Sequence, residues 1–205
     1  MVAVITGDIA NSQQNAPAVW LTPLKEELNR VGKSPRNWEI YRGDSFQLLI
    51  PDAADALLTA IRIKAALRSL PDQSVDVRMA IGLGEKTYDA ERITESNGSA
   101  FVHSGEKFEM LKQEKQHIAV KSDNPEFDKE MNLYLKLALI AMDNWTTNAA
   151  EIVKTAIENP GKSQEELGQL LNIKQNAVSG RLKRAYYGEI KEVIEMYQTR
   201  IKALK

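Results

Sequence analysis

Asp8 closes the apolar run Val2-Ala-Val-Ile-Thr6, and Asp44 stands between two further strand-like runs, Trp38–Arg42 and Ser45–Ile50. If the first strand pairs beside the hairpin, the two carboxylates come to lie at the ends of neighbouring strands. Paired carboxylates of this kind can hold Mg2+ or Mn2+, which take few protein ligands and complete their shells with water and a nucleotide phosphate. Arg42 and Arg78 read as phosphate contacts or as ion-pair formers. The structural alternative for the pair is plain: Gly43-Asp44 makes a good turn whatever its chemistry, and Asp8 caps the segment that follows. A two-residue loop with glycine first predicts a type II′ turn.

A second set of chemically telling residues lies between Ile173 and Gly188. That stretch carries Lys174, Arg181, Lys183 and Arg184 and no acid. Just before it, Ser163 and Glu166 have the spacing of a capping box, which predicts a helix over Gln164–Leu171. Leu167, Leu170 and Leu171 would point into a core, and Gly168 would let a second helix cross closely. Asn172-Ile173 makes the turn, asparagine tolerating left-handed geometry better than most residues. The second helix is expected from about Gln175 to Tyr187, burying Val178, Leu182 and Ala185. Two short helices so joined describe a helix-turn-helix, whose second helix enters the major groove by its N-terminal part. Gln175, Asn176 and Ser179 then face base edges, where Asn and Gln pair with adenine. Lys174, Arg181, Lys183 and Arg184 fall to phosphates. The structural alternative is a helical hairpin with a solvated basic face.

These groups are positioned by two kinds of chain. Residues 1–123 alternate strand and helix signals. Val19–Val31 and Ala53–Leu70 read as helices, the second stopped by Pro71-Asp72, and Asn11–Pro17 is loop-like. Val75–Leu83 reads as a strand, Glu85–Ser99 as a polar crossing, Phe101–Gln113 as a helix and His117–Lys121 as a strand. The order β-α-β-β-α-β, then α-β, is ferredoxin-like with an addition. From residue 124 only helical patterns occur. A connector or dimerisation helix spans 124–145, and 146–205 carries the helix-turn-helix. The fold class is therefore α+β, with an all-α C-terminal part. Trp20, Trp38 and Trp145 are taken as core or interface anchors.

Composition sets the limits. The chain has 205 residues, 27 basic and 28 acidic, and no cysteine, which excludes disulfides and thiolate chemistry. The charge is unevenly spread: residues 1–142 hold 17 bases against 20 acids, residues 143–205 hold 10 against 8. A compact DNA-facing helix needs no globally basic protein. No apolar run reaches the length of a bilayer span, and Met1–Ile9 reads as a strand rather than a signal peptide. A cytoplasmic protein without a membrane partner is expected.

VITGDIA, YRGDSFQLLI, DVRMAIGLGE and GSAFVHSGEKFEML follow the order of landmarks in class III nucleotidyl cyclase domains over about residues 1–121. With the helical C-terminus added, the chain resembles the SatD family of bacterial proteins nearly end to end. The cyclase resemblance implies that Asp8 and Asp44 are the paired metal aspartates. It also places His103 near that family's asparagine and Lys107 near its arginine. Lysine offers a point charge instead of a bidentate fork, so Lys107 is a nucleotide-binding candidate and cyclase catalysis is not expected. His103 alone reads as a satisfied surface histidine. Together these readings imply a homodimeric DNA-binding transcriptional regulator with a degenerate cyclase-like sensor. The alternative is an active metal-dependent nucleotidyl cyclase or related phosphoryl-transfer enzyme, regulated by its C-terminal helices.

Overall fold

The computed structural model describes residues 1–14, 16–71 and 75–204. Asn15 in the expected Asn11–Pro17 loop, Asp72 in the expected Pro71-Asp72 stop, and Lys205 lie outside these residues. The chain is a mixed α+β structure. Its five strands are β1 (Val2–Ala10), β2 (Trp38–Tyr41), β3 (Ser45–Ile50), β4 (Asp76–Gly84) and β5 (Ile118–Lys121). Helices α1 (Pro17–Asn29), α2 (Ala56–Arg68) and α3 (Ser99–Glu114) alternate with them. The C-terminal part is helical: α4 (Pro125–Met142), α5 (Thr147–Glu158), α6 (Gln164–Leu171), α7 (Gln175–Arg184) and α8 (Tyr187–Ala203).

The strands form one sheet in the order β2-β3-β1-β4-β5, antiparallel except for the parallel pair β4 and β5. β1 lies at its centre, covered on both faces, which is why its sequence is an unbroken apolar run instead of an alternating one. Ile5 and Ile9, with Phe46 and Leu48 of β3 and Val77 and Met79 of β4, face the core built by α1, α2 and α4. Val4 and Leu49 face the other way, against Ala100 and Phe101 of α3. There α3 lies directly on β4: a Cβ built on Gly82 would sit 2.1 Å from the carbonyl oxygen of Ala100. The buried hydroxyls of Thr6 and Ser104 meet at 2.9 Å beside this contact.

The hairpin turn departs from expectation. Arg42 and Gly43 both have positive φ, 52° and 88°, the signs of a type I′ turn rather than II′. Tyr41 pairs with Ser45, so three residues make the loop. Asp44 therefore sits at the mouth of β3 instead of in the middle of a two-residue loop.

Core packing runs on without a break past residues 123 and 145. Trp20, Trp38 and Trp145 are all buried in it, along with Ile190, Ile194 and Ile201 of α8. Polar ties follow the same seam. The wholly buried ammonium of Lys64 on α2 donates to both oxygens of Asp76, at 2.7 and 3.0 Å, and lies 2.8 Å from Asp143 at the end of α4. Arg68 donates to the carbonyls of Asp143 and Trp145, at 3.2 and 2.6 Å. The Trp145 indole donates to Ala185 at 3.0 Å, and the Tyr197 hydroxyl donates to Ala53 at 2.9 Å. At the β5 edge, the Asn132 amide accepts from the Val120 N–H and donates to its carbonyl, both at 2.9 Å.

Candidate functional site

Two regions collect the chemically interesting residues. The first is the α5–α6–α7 trio. Ile152 and Ala156 of α5, Leu167 of α6 and Val178 of α7 form a small core of their own. The capping box is present: Ser163 Oγ accepts from the Glu166 N–H at 3.2 Å, and Glu166 Oε2 accepts from the Ser163 N–H at 2.7 Å. Asn172 ends α6 in the left-handed region, with φ 52° and ψ 44°. The turn is tight enough that a Cβ on Gly168 would lie 2.6 Å from the Ile173 carbonyl oxygen. Leu170 corrects the expected core: it is exposed on α6, while Leu167 is buried and Leu171 packs beside it. A left-handed residue, Tyr186, ends the second helix at Arg184, three residues short of expectation, and starts α8.

On α7, burial of Val178 turns the opposite surface outward. Gln175, Asn176 and Ser179 are all exposed there, and so are Lys174, Lys183 and Arg184. Among the described residues, no carboxylate pairs with these three cations. Arg181 is different. Its guanidinium bonds to Glu151 of α5 at 2.8 Å and is mostly covered. The structure thus leaves six of the seven residues exposed, with Glu165 of α6 beside Lys174 and Gln175, and gives the seventh an internal partner.

The second region is a cleft of about 550 Å³ at one end of the sheet, lined among others by Asp8, Ser12, Arg42, Asp44, Arg78 and Glu109. In the β1–β3 register Asp8 faces Ser45, and in the β1–β4 register it faces Arg78. The Ile9 N–H donates to the Asp44 carbonyl at 3.2 Å, so the two aspartates do stand at adjacent strand ends. Arg78 grips Asp8 with a fork, Nε to Oδ1 at 2.8 Å and Nη2 to Oδ2 at 2.5 Å. Ser12 donates to Asp44. The donor set suits a hard divalent ion: two carboxylates side by side at a water-accessible cleft. Such an ion would compete with the Arg78 fork for Asp8.

Asp8, Arg42 and Asp44 therefore share the cleft, but Lys107 does not line it. The Lys107 ammonium is held by Glu114, at 2.7 and 2.9 Å. Glu109, two residues further along α3, faces the cleft in its stead, because neighbours at that spacing lie on opposite sides of a helix. His103 is also elsewhere, and it is buried instead of being a surface residue. Its Nδ1 lies 2.7 Å from the Leu83 carbonyl oxygen, and its Nε2 lies 3.3 Å from Asp123. Ser12 and Glu109 carry no signal in the sequence that sets them apart from other loop serines and surface glutamates.

A third cluster, Asp76, His117 and Asp143, has metal-ligand chemistry and the right proximity. The Lys64 ammonium, bonded to both aspartates, already serves as its cation. Burial pushes the Asp143 carboxyl up, but His117 and Lys64 together outweigh that and hold it below the ordinary aspartate value.

The sequence model of the SatD family matches residues 1–194. The chain belongs to the SatD family. No curated protein and no solved structure matches it significantly. For this SatD-family chain the match spans both regions, the Asp8–Asp44 cleft and the α7 surface. No helix among the described residues is long and apolar enough to cross a membrane.

Proposed function

We propose that this SatD-family protein is a cytoplasmic DNA-binding transcriptional regulator whose sheet-bearing part is a cyclase-like sensor. The observation that carries this reading is the α7 surface: Gln175, Asn176 and Ser179 exposed among Lys174, Lys183 and Arg184, on a helix with no acidic residue. The α6–α7 pair, with its capping box and left-handed Asn172, supports a helix-turn-helix over 146–205. In that reading the amides and the hydroxyl meet base edges while the three cations meet phosphates. Arg181 leaves the phosphate set and acts as the brace between α7 and α5.

The sheet-bearing part reads as ferredoxin-like and cyclase-like because β2-β3-β1-β4 is an all-antiparallel set drawn from a β-α-β-β-α-β chain. Its cleft is the sensor's ligand site in this reading. Asp8 and Asp44 would hold Mg2+ or Mn2+, which would supply charge to a nucleotide's phosphates, and Arg42 would add a further contact. The second reading, a metal-dependent nucleotidyl cyclase, draws on the same convergence of Asp8 and Asp44. It is the weaker one, because Lys107 is turned away to Glu114.

The test is binding of the full-length protein to DNA from upstream of its own gene and to a random-sequence library, followed over a salt series. Binding that weakens steeply with salt, and weakens again with Asn176→Ala, is expected. Absence of salt-dependent binding to both DNAs would sink the reading.

A further inference from the structure

The Asp8–Asp44 cleft is closed to a lone cation by its own arginine. Asp8 and Arg78 are both mostly covered, at 13 and 21% side-chain exposure, and the fork takes up both Asp8 oxygens. The pairing of β1 with β4 sets the two residues opposite each other, so the fork is built into the sheet. Asp44 is held differently. It accepts from the hydroxyls of Ser12 and Ser45, neutral donors that leave its charge uncompensated. The charges lining the cleft have a further consequence. Asp8, Asp44 and Glu109 stand against Arg42 and Arg78, so the cleft is acidic by one charge and becomes basic by one when a divalent cation enters. A polyphosphate meets repulsion in the first state and attraction in the second.

We propose that the Asp8–Arg78 fork is a lock that admits a divalent cation and a polyphosphate to this cleft only together. Asp8 can ligate a cation only by releasing the guanidinium, which is then left poorly solvated and without a counter-ion. Arg78 already lines the cleft, so an anion bound there can replace the carboxylate as its partner. A guanidinium suits this exchange, because its planar donors fit phosphate bidentately as they fit carboxylate. Arg42, exposed at the turn beside Asp44, supplies a second contact. Each ligand thus removes the obstacle to the other: the cation frees Arg78, and the phosphate gives Arg78 a new partner. Coupling of this kind is reciprocal and changes affinity by about 5–150-fold. Two carboxylates are also few for Mg2+, which dehydrates reluctantly and is ordinarily held by one or two of them together with phosphate oxygens. The site accordingly answers to a metal–polyphosphate complex and to neither ligand alone. This inference rests on the reading of the cleft as a metal-and-nucleotide site; it is independent of the DNA-binding reading of α7.

The experiment uses the full-length chain, Mn2+ and inorganic pyrophosphate. Electron paramagnetic resonance reads free Mn2+ in titrations of the metal alone. Equilibrium dialysis reads labelled pyrophosphate held by the protein over an Mn2+ series, with the complex formed in solution counted as a ligand. The wild type should bind Mn2+ alone weakly and retain pyrophosphate only when Mn2+ is present. Arg78→Gln should bind Mn2+ alone about 5–150-fold more tightly, yet retain less pyrophosphate at saturating Mn2+. Arg78→Lys keeps the charge without the fork. It should bind Mn2+ alone at least about fivefold more tightly and still retain pyrophosphate, whereas a simple effect of cleft charge would leave it like the wild type. Asp44→Asn should abolish retention of pyrophosphate, which places the ions in this cleft and not at Asp76, His117 and Asp143. Arg78→Lys binding Mn2+ no more tightly than the wild type overturns the lock. So does retention of pyrophosphate by the wild type without Mn2+, or retention indifferent to Asp44→Asn. Binding of both ligands that depends on Asp44 but not on Arg78 sinks the lock and leaves the metal-and-nucleotide reading standing. A wild type that binds neither ligand in any combination sinks both.

Discussion

Asp8 and Arg78 face each other across β1 and β4, and the guanidinium covers both carboxylate oxygens. Both side chains are largely covered, so removing either strands a charge in a poorly solvated place. Arg78→Ala should destabilise the protein by about 1–3 kcal/mol in urea unfolding. In a double-mutant cycle, adding Asp8→Ala should cost much less than its single effect. Fully additive losses would mean that the fork contributes nothing.

The α7 surface divides its residues by effect. Asn176→Ala and Gln175→Ala should each cost about 1–3 kcal/mol on the preferred DNA and little on unrelated DNA. Lys183→Ala should weaken both alike and lower the salt slope by about one. Arg181→Ala should instead lower the melting temperature, because its partner is Glu151. Fluorescence anisotropy with two DNAs, set beside thermal melts, separates the three patterns.

Local signals were legible where they were self-contained. The capping box, the left-handed Asn172 and the bounds of α6 came straight from residue types at fixed offsets. The β-α-β-β-α-β order came from periodicity and from glycine and proline punctuation. Pairings settled by distant chain did not. Nothing near Arg181 announces Glu151, thirty residues earlier on another helix. The rotation of α3 that gives Lys107 to Glu114 and Glu109 to the cleft is set by how Gly82 and Ser104 seat the helix on β4. The hairpin failed for a subtler reason. Both strands were visible, but a type I′ turn put Arg42 in the left-handed region, where an arginine is not expected.

Gly168 sits where a methyl group would meet the Ile173 carbonyl at 2.6 Å. Gly168→Ala should therefore push α6 and α7 apart and cost about 1–3 kcal/mol, despite alanine's better helix propensity. At solvent-facing Gly188, where an added Cβ meets nothing, the same change should be neutral or stabilising. Thermal melts of the two variants make the comparison.

Asp143 predicts a pH dependence. Its carboxyl is held below the ordinary value in the folded chain, so the unfolded chain binds a proton first as pH falls. The resulting stability is present above the unfolded value, about 3.9, and drains away as pH drops through the folded one. Asp143→Asn should therefore be less stable than the wild type near neutrality, with the gap closing below about pH 4. Urea midpoints across that range would show it, and a gap independent of pH would contradict the assignment.

The Asn132 amide, bonded to both backbone groups of Val120, has a consequence for the β5 edge of the sheet. A single side chain there imitates the next strand at the β5 edge of the five-stranded sheet. Addition of a further strand at Val120 would first have to displace that amide.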